Sequence, residues 1–301
     1  MRSSNRTVIR GGPALAAAFA AITALLWSAG ARPDVPLYEV SVPLKGTTEA
    51  DRAAGMAAAL RAVAVKASGQ REAADNPVIV AANPAKFVQR YSTTTDRMLK
   101  VGFDGRATEQ LLQQAGLTLW PAERPLTLVN APVGDPLEFE AAAQWRGLPI
   151  SWSAGAPAPA DRAHAVLSGV PSGSGFAWTF THDGRTVQAR GSAADGVNLA
   201  ADTLAARYAP PSTRSSSSLT LRIGGMDDLR SYSGLLAYLR SLSLVRDVDV
   251  LSLEATVITL RVVVRGDREL LARIAALEGR LQPVARGEPE AAPAVDFVYL
   301  P

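Results

Sequence analysis

The chain carries two histidines, His164 and His182, and no cysteine in 301 residues. A histidine metal site presents two or three ligands at helical or hairpin spacing. These two stand eighteen residues apart and read as solvated surface groups at loop or strand-edge positions. His182 beside Asp183 imitates a base and its orienter, but Asp183-Gly184 is better explained as a tight turn, and no Gly-x-Ser-x-Gly elbow occurs. Ser172-Gly173-Ser174-Gly175 reads as a hairpin loop. Glu138 and Glu140, two apart on a predicted helix, do not face each other. Asp247 and Asp249 share one face of a predicted strand and could hold a cation, although an exposed sheet face accounts for them more simply. Gly224-Gly225 lacks dinucleotide-loop spacing, and no Gly-Lys-Ser or Gly-Lys-Thr phosphate loop is present. Without cysteine there is no thiol nucleophile, disulfide or thiolate metal site. The expectation is a protein with no catalytic set, no cofactor and no metal ligands.

Four tryptophans, Trp120, Trp145, Trp152 and Trp178, fall in the middle of the chain. They could line a groove for glycan or peptide, but large aromatics more often pack cores and boundaries. Arg124, before Pro125, reads as a buried structural arginine paired with a carboxylate at a domain junction. Trp120, Arg124, Trp145 and Trp178 are therefore the structural or binding candidates.

The amino terminus carries a different signal. Arg2, Arg6 and Arg10 precede an uncharged, Ala-rich run from Ala14 to Gly30, which ends in Ala29-Gly30-Ala31. A basic head, an apolar middle and a small-x-small exit make a secretory signal, with cleavage expected between Ala31 and Arg32. As a helix the run spans roughly 25 Å, against roughly 30 Å of hydrocarbon. That favours a signal over the alternative, an uncleaved inner-membrane anchor. Removing the head changes the charge: 31 basic and 28 acidic residues become 28 of each. A nucleic-acid binder needs surplus Lys and Arg to displace counterions. The balanced remainder argues against that partner, and the membrane enters only through the leading segment.

The rest of the chain reads as alternating strands and helices. The first block, residues 32–125, has a strand at Leu37–Val42 and a helix capped by Thr48 and Asp51 and stopped by Gly69. A short helix opened by Asn83-Pro84 carries Phe87 and Tyr91. A strand at Met98–Asp104 and a helix from Arg106 to Ala115 complete the block. The second, 126–209, has strands at Leu126–Val129 and Leu148–Trp152 flanking a helix from Pro136 to Arg146. A loop from Ser153 to Pro159 follows. Three short strands come next, with Asp183-Gly184 turning the last two, and then a helix from Ala193 to Tyr208. Pro210–Ser218 has the composition of a linker. The third block, 219–285, reads βαββαβ: a strand, a helix capped by Asp227 or Asp228, two β-branched runs joined near Glu254-Ala255, a helix opened by Asp267, and a last strand at Leu281–Ala285 or Val295–Leu300. That order is the signature of a ferredoxin-like sandwich. Residues 286–301 form a tail. The fold class expected is mixed α/β and α+β: two small α/β domains followed by a ferredoxin-like domain.

Several short motifs then suggest a relative. Leu37-Tyr38-Glu39-Val40, Ala59-Leu60 through Ser68-Gly69, Phe103-Asp104, Leu119-Trp120, Arg124-Pro125-Leu126, Arg146-Gly147-Leu148-Pro149 and Leu204-Ala205-Ala206-Arg207-Tyr208 occur in that order. Together they resemble the bacterial family named domain of unknown function (DUF) 2066. The resemblance implies an exported protein and assigns no activity. The second block also loosely resembles the small α/β domain of TolB amino termini and of lipoprotein activators of penicillin-binding proteins, a fold-level likeness that carries no function.

The sequence thus predicts a periplasmic or otherwise exported envelope protein. It would act as a non-enzymatic adaptor or assembly factor on other envelope proteins, through exposed sheet edges or the third block. The alternative is a carboxylate-dependent envelope hydrolase or glycan-binding enzyme, whose acids would converge in an aromatic-lined cleft near Trp145 or Trp178.

Overall fold

A computed structural model of the chain describes residues 35–131, 135–152, 164–210, 216–284 and 295–301. The expected signal residues Ala29, Ala31 and Arg32 lie outside these, as do the Ser153–Pro159 loop, residues 211–215 of the Pro210–Ser218 stretch and all of 286–294. The protein is mixed α/β, with three sheets and seven α-helices among the described residues.

The first sheet holds β1 (Glu39–Pro43), β2 (Val88–Thr93) and β3 (Met98–Phe103), antiparallel in the order β1-β3-β2. Against it lies α1 (Glu49–Ser68). Its start is fixed by a reciprocal capping box between Thr48 and Asp51, and its end by Gly69 in the left-handed conformation at φ +74°. Residues Ala62 to Ser68 are all buried, so the second half of α1 is enclosed rather than amphipathic. The five-residue α2 (Pro77–Ala81) and α3 (Gly105–Gln114) complete this part, α3 being capped by Asp104.

One expectation changes here. Asn83-Pro84 opens only a single 3-10 turn, Pro84–Lys86, and Tyr91 sits in β2 rather than on a helix. Pairing with β3 decides this, because Tyr91 is registered against Val101. The side chains of β2 are mostly exposed, so no alternation marks it as a strand.

The second sheet runs β5-β4-β6-β7-β8. β4 (Leu126–Asn130) lies parallel to both β5 (Ile150–Trp152) and β6 (His164–Ser172), with α4 (Pro136–Arg146) crossing between β4 and β5. β7 (Gly175–His182) and β8 (Arg185–Gly191) continue antiparallel. Their turn places Asp183 at φ +48° and Gly184 at φ +72°, the doubly left-handed turn whose twist suits a hairpin. α5 (Ala193–Tyr208) then packs back on the sheet behind a Ser192–Asp195 capping box.

The third sheet runs β10-β11-β9-β13-β12. β9 (Ser216–Gly224) pairs antiparallel with β11 (Val257–Arg265), which pairs antiparallel with β10 (Val245–Glu254). α6 (Leu229–Ser241) is capped by Asp228, and α7 (Arg268–Glu278) by Asp267. β9 begins inside the serine-rich stretch, with Ser216 registered on Arg265, because β11 offers those backbones a partner. Both candidate last strands form. β12 (Leu281–Pro283) pairs with β13 (Phe297–Tyr299), and β13 inserts between β12 and β9, parallel to β9.

Apolar side chains form two buried clusters. One belongs to the first sheet and α1. The other runs from Trp120 through the second sheet and α5 into the third sheet with α6 and α7. Polar bonds join the first and third sheets: Glu109 on α3 accepts from Tyr38 Oη at 2.8 Å, Arg246 at 3.1 Å and Arg265 at 3.1 Å.

Candidate functional site

Two of the sequence candidates, Trp120 and Arg124, meet where α1, α4 and the segment between α3 and β4 converge. A helix leaves its last carbonyls without intrahelical partners and carries a partial negative charge at that end. The C-termini of α1 and α4 both point here. Arg124 collects their free carbonyls: Nη2 donates to Lys66 O at 2.7 Å, and Nη1 to Arg146 O at 3.0 Å and Gly147 O at 2.6 Å. Nη2 also donates to Trp120 O, in the segment between α3 and β4, at 3.3 Å. Nε donates to Pro121 O at 3.1 Å. The guanidinium also lies 3.7 Å from the centre of the Trp120 ring, within cation–π range.

An arginine has five N–H donors, and here all five are used. Arg124 is buried as expected, but its partners are carbonyls rather than the anticipated carboxylate. The partial charges of two helix ends do the balancing that an acid would otherwise do. Burial, followed by the nearby Arg146, pushes the guanidinium down to about 9, so it remains cationic at neutral pH. No donor is left for a ligand, and the role is structural.

Two more buried cations surround it. Arg146 donates to Gly69 O at 2.8 Å, Asn198 Oδ1 at 2.8 Å and Asp202 Oδ1 at 2.6 Å, tying α4 to α5 and to the end of α1. Burial lowers its pKa, and Asp202 opposes that. Lys66 donates from Nζ to Glu39 O at 2.8 Å. The Glu39 carboxylate itself is held by Lys100 and Arg90, whose bonds keep its pKa low. Gly147 is obligatory at this crossing. It stands at φ +61°, and a Cβ there would meet Arg124 Nη1 at 2.5 Å and Lys66 Cγ at 2.7 Å.

Beside the junction lies a cleft of about 290 Å³, bordered by Glu39, Lys66, Lys100, Gln144 and Pro149. Burial, with Arg124 alongside, pushes the Lys66 ammonium down to about 8. This sets a pH effect with a definite sign. Between about 8 and 10.5 the unfolded lysine holds its proton and the folded one has released it, so stability rises with pH through that window. From about pH 7.5 to about pH 9.5 the gain is on the order of 2 kcal/mol. Chemical denaturation of the wild type and of Lys66→Met at both pH values measures it; the variant should lose that part of the rise. Equal rises in the two proteins would refute the assignment.

The remaining candidates separate. Trp178 is enclosed in the second sheet's core, with its Nε1 donating to Ser192 O at 2.9 Å. Trp145 is 41% exposed on the outside of α4. Trp152 stacks edge-on against Phe139 with ring centres 5.1 Å apart. The two tryptophans that would line a hydrolase cleft therefore do not share a surface. His182 corrects its surface reading: it is buried, and its Nε2 lies 2.8 Å from Tyr208 Oη. Facing the α5 helix from the end of β7, it is covered by a contact remote in sequence. Asp247 and Asp249 are exposed, and no metal-type cluster occurs among the described residues.

A second feature is an open sheet edge. β10 borders the third sheet, and among the described residues no strand pairs with its outer side. Its second half carries Val250, Leu251 and Leu253, 41%, 45% and 53% exposed. The register on β11 shifts between Val250 and Ser252, so the edge bends there. Asp247, Asp249 and Glu254 flank the apolar stretch and are exposed.

Residues 31–121 match the family model described as Domain of unknown function (DUF8605). The match covers less than half of the chain and overturns the resemblance to DUF 2066, a different family. The motifs behind that resemblance prove to be general structural devices. Asp104 caps a helix, Gly69 ends one, and Arg124 gathers carbonyls, tasks that many α/β proteins assign to the same residue types. No curated protein and no solved structure matches the chain. Among the described residues, no helix is long and apolar enough to cross a membrane.

Sequence reasoning misses Lys66 and Arg146. For Lys66 a signal exists: it is the one charged residue in the otherwise uncharged run Ala62–Ser68 at the end of α1. Arg146 carries none, since a basic residue in a last helical turn is ordinary.

Proposed function

We propose that this is an exported envelope protein that works by docking to other proteins, as an adaptor or assembly factor, rather than by catalysis. In this reading it consists of two small α/β units followed by a ferredoxin-like unit. The order of β9, α6, β10, β11, α7 and β12 supports that last assignment, with β13 as an added strand. The basic head and apolar run at the amino terminus support export.

The observation that carries the docking reading is the open edge of β10. An edge strand presents unpaired N–H and C=O groups that template a further strand. Here they are bordered by exposed Val250, Leu251 and Leu253 and by exposed carboxylates. The occupant that fits is an extended segment of a partner protein, apolar at alternate positions and flanked by basic residues.

The test uses the exported protein as bait in envelope extracts, beside a Leu251→Lys/Leu253→Lys variant. Substitution of exposed side chains typically stays within about 0.5 kcal/mol, so the variant should keep its thermal midpoint. Recovery of a specific partner should fall at least ten-fold, and the recovered bait should begin at Arg32. Undiminished recovery by the variant, or turnover of a cell-wall substrate without a partner, would count against the adaptor reading.

A further inference from the structure

Away from the junction and from β10, three arginines of separate elements border one cavity. Arg185 begins β8, Arg207 lies in the last turn of α5, and Arg273 lies midway along α7. Together with His182 and Thr203 they line a space of about 330 Å³. Like charges gathered at one concavity repel unless an anion joins them, and low-dielectric walls strengthen that repulsion. The acids nearby meet only part of this charge. Asp183 pairs with Arg207, and the outward-lying Glu269 reaches Arg273 at 3.6 Å. Arg185 forms no ion pair among the described residues. The Nε–H groups of Arg207 and Arg273 are buried and have no hydrogen-bond partner among the described residues.

The negative end of α5 accounts for one cation, Arg207. It does not account for Arg185 and Arg273, which arrive from a hairpin and from another helix. Planar guanidiniums match the oxygens of a phosphoryl group in pairs, and the cavity has room for a small organic residue attached to it.

We propose that this cavity is a binding site for a phosphate monoester, held by Arg185, Arg207 and Arg273. The same phosphoryl chemistry could be presented by a soluble metabolite or by a lipid headgroup. Neither the β10 edge nor the docking reading is required for it.

The test is calorimetric titration of the full chain with glycerol phosphate, with flotation on vesicles containing phosphatidic acid, whose headgroup is likewise a phosphate monoester, as a second arm. Saturable binding that weakens with added salt is expected, and Arg185→Gln and Arg273→Gln should each weaken it at least ten-fold. Arg240→Gln, on the exposed side of α6, should bind as the wild type does. Thermal midpoints of all three variants should stay close to that of the wild type. Glycerol phosphate binding assigns a soluble ligand, and vesicle binding alone, lost in the same two variants, assigns a headgroup. Binding in neither arm, or binding indifferent to Arg185 and Arg273, overturns the proposal.

Discussion

Arg124→Met should lower the unfolding free energy by about 3–5 kcal/mol, because several buried carbonyls lose their donor at about 1–3 kcal/mol each. Methionine replaces the aliphatic stem of the side chain but supplies no donor. Five carbonyls, from Lys66, Trp120, Pro121, Arg146 and Gly147, lose their hydrogen bond at once. Each unsatisfied buried acceptor costs about 1–3 kcal/mol before water enters, so the sum is capped by local relaxation rather than by the number of bonds. Arg124→Lys offers three donors without the planar fork and should recover less than half of the loss. Urea denaturation at neutral pH reads both values. A loss below about 1 kcal/mol for the methionine variant would mean that the two helix ends are held together by other contacts.

Trp178→Ala should cost about 3–5 kcal/mol, as expected for emptying a fully packed aromatic site. The indole lies between Gly169 of β6 and Gly196 of α5, and both glycines leave room for it. It also packs edge-on against Phe139 at 5.6 Å and is tilted on Phe176 at 4.7 Å. The neighbouring Gly196→Ala decides whether this packing governs the site. In an exposed helix the change would stabilise by about 1 kcal/mol. Here the new Cβ would stand 2.5 Å from Trp178 Cε2, and overpacking of that kind costs about 1–3 kcal/mol. A lower thermal midpoint with altered tryptophan fluorescence is expected. A raised midpoint would show that the ring yields freely.

Where local chemistry writes an element's ends, the sequence suffices to find it. Thr48, Asp51 and Gly69 bound α1, Pro136 and Gly147 bound α4, and Asp183-Gly184 turns β7 into β8. Where a remote partner makes the element, it does not. β2 exists because β3 pairs with it, and its side chains face water, so its pattern is silent. The same division runs through the site. Arg124 is visible as a buried arginine at a boundary, but its acceptors are backbone groups, which every residue possesses and no sequence displays. The Glu109 cluster and the three-arginine cavity join residues far apart in the chain, and each member alone looks like an ordinary surface charge.

The placement of β13 bears on the order in which the third sheet can assemble. β9, β10 and β11 are neighbours along the chain and can zip together early, but β9's other margin waits for Val298, 74 residues beyond its partner Gly224. Closing so large a loop comes late, since its entropy is spent before any contact repays it. A newly made chain therefore passes through a stage in which a hydrophobic strand is bare on one side. During that interval β9 is open to mispairing, and a holding chaperone would have its main task there.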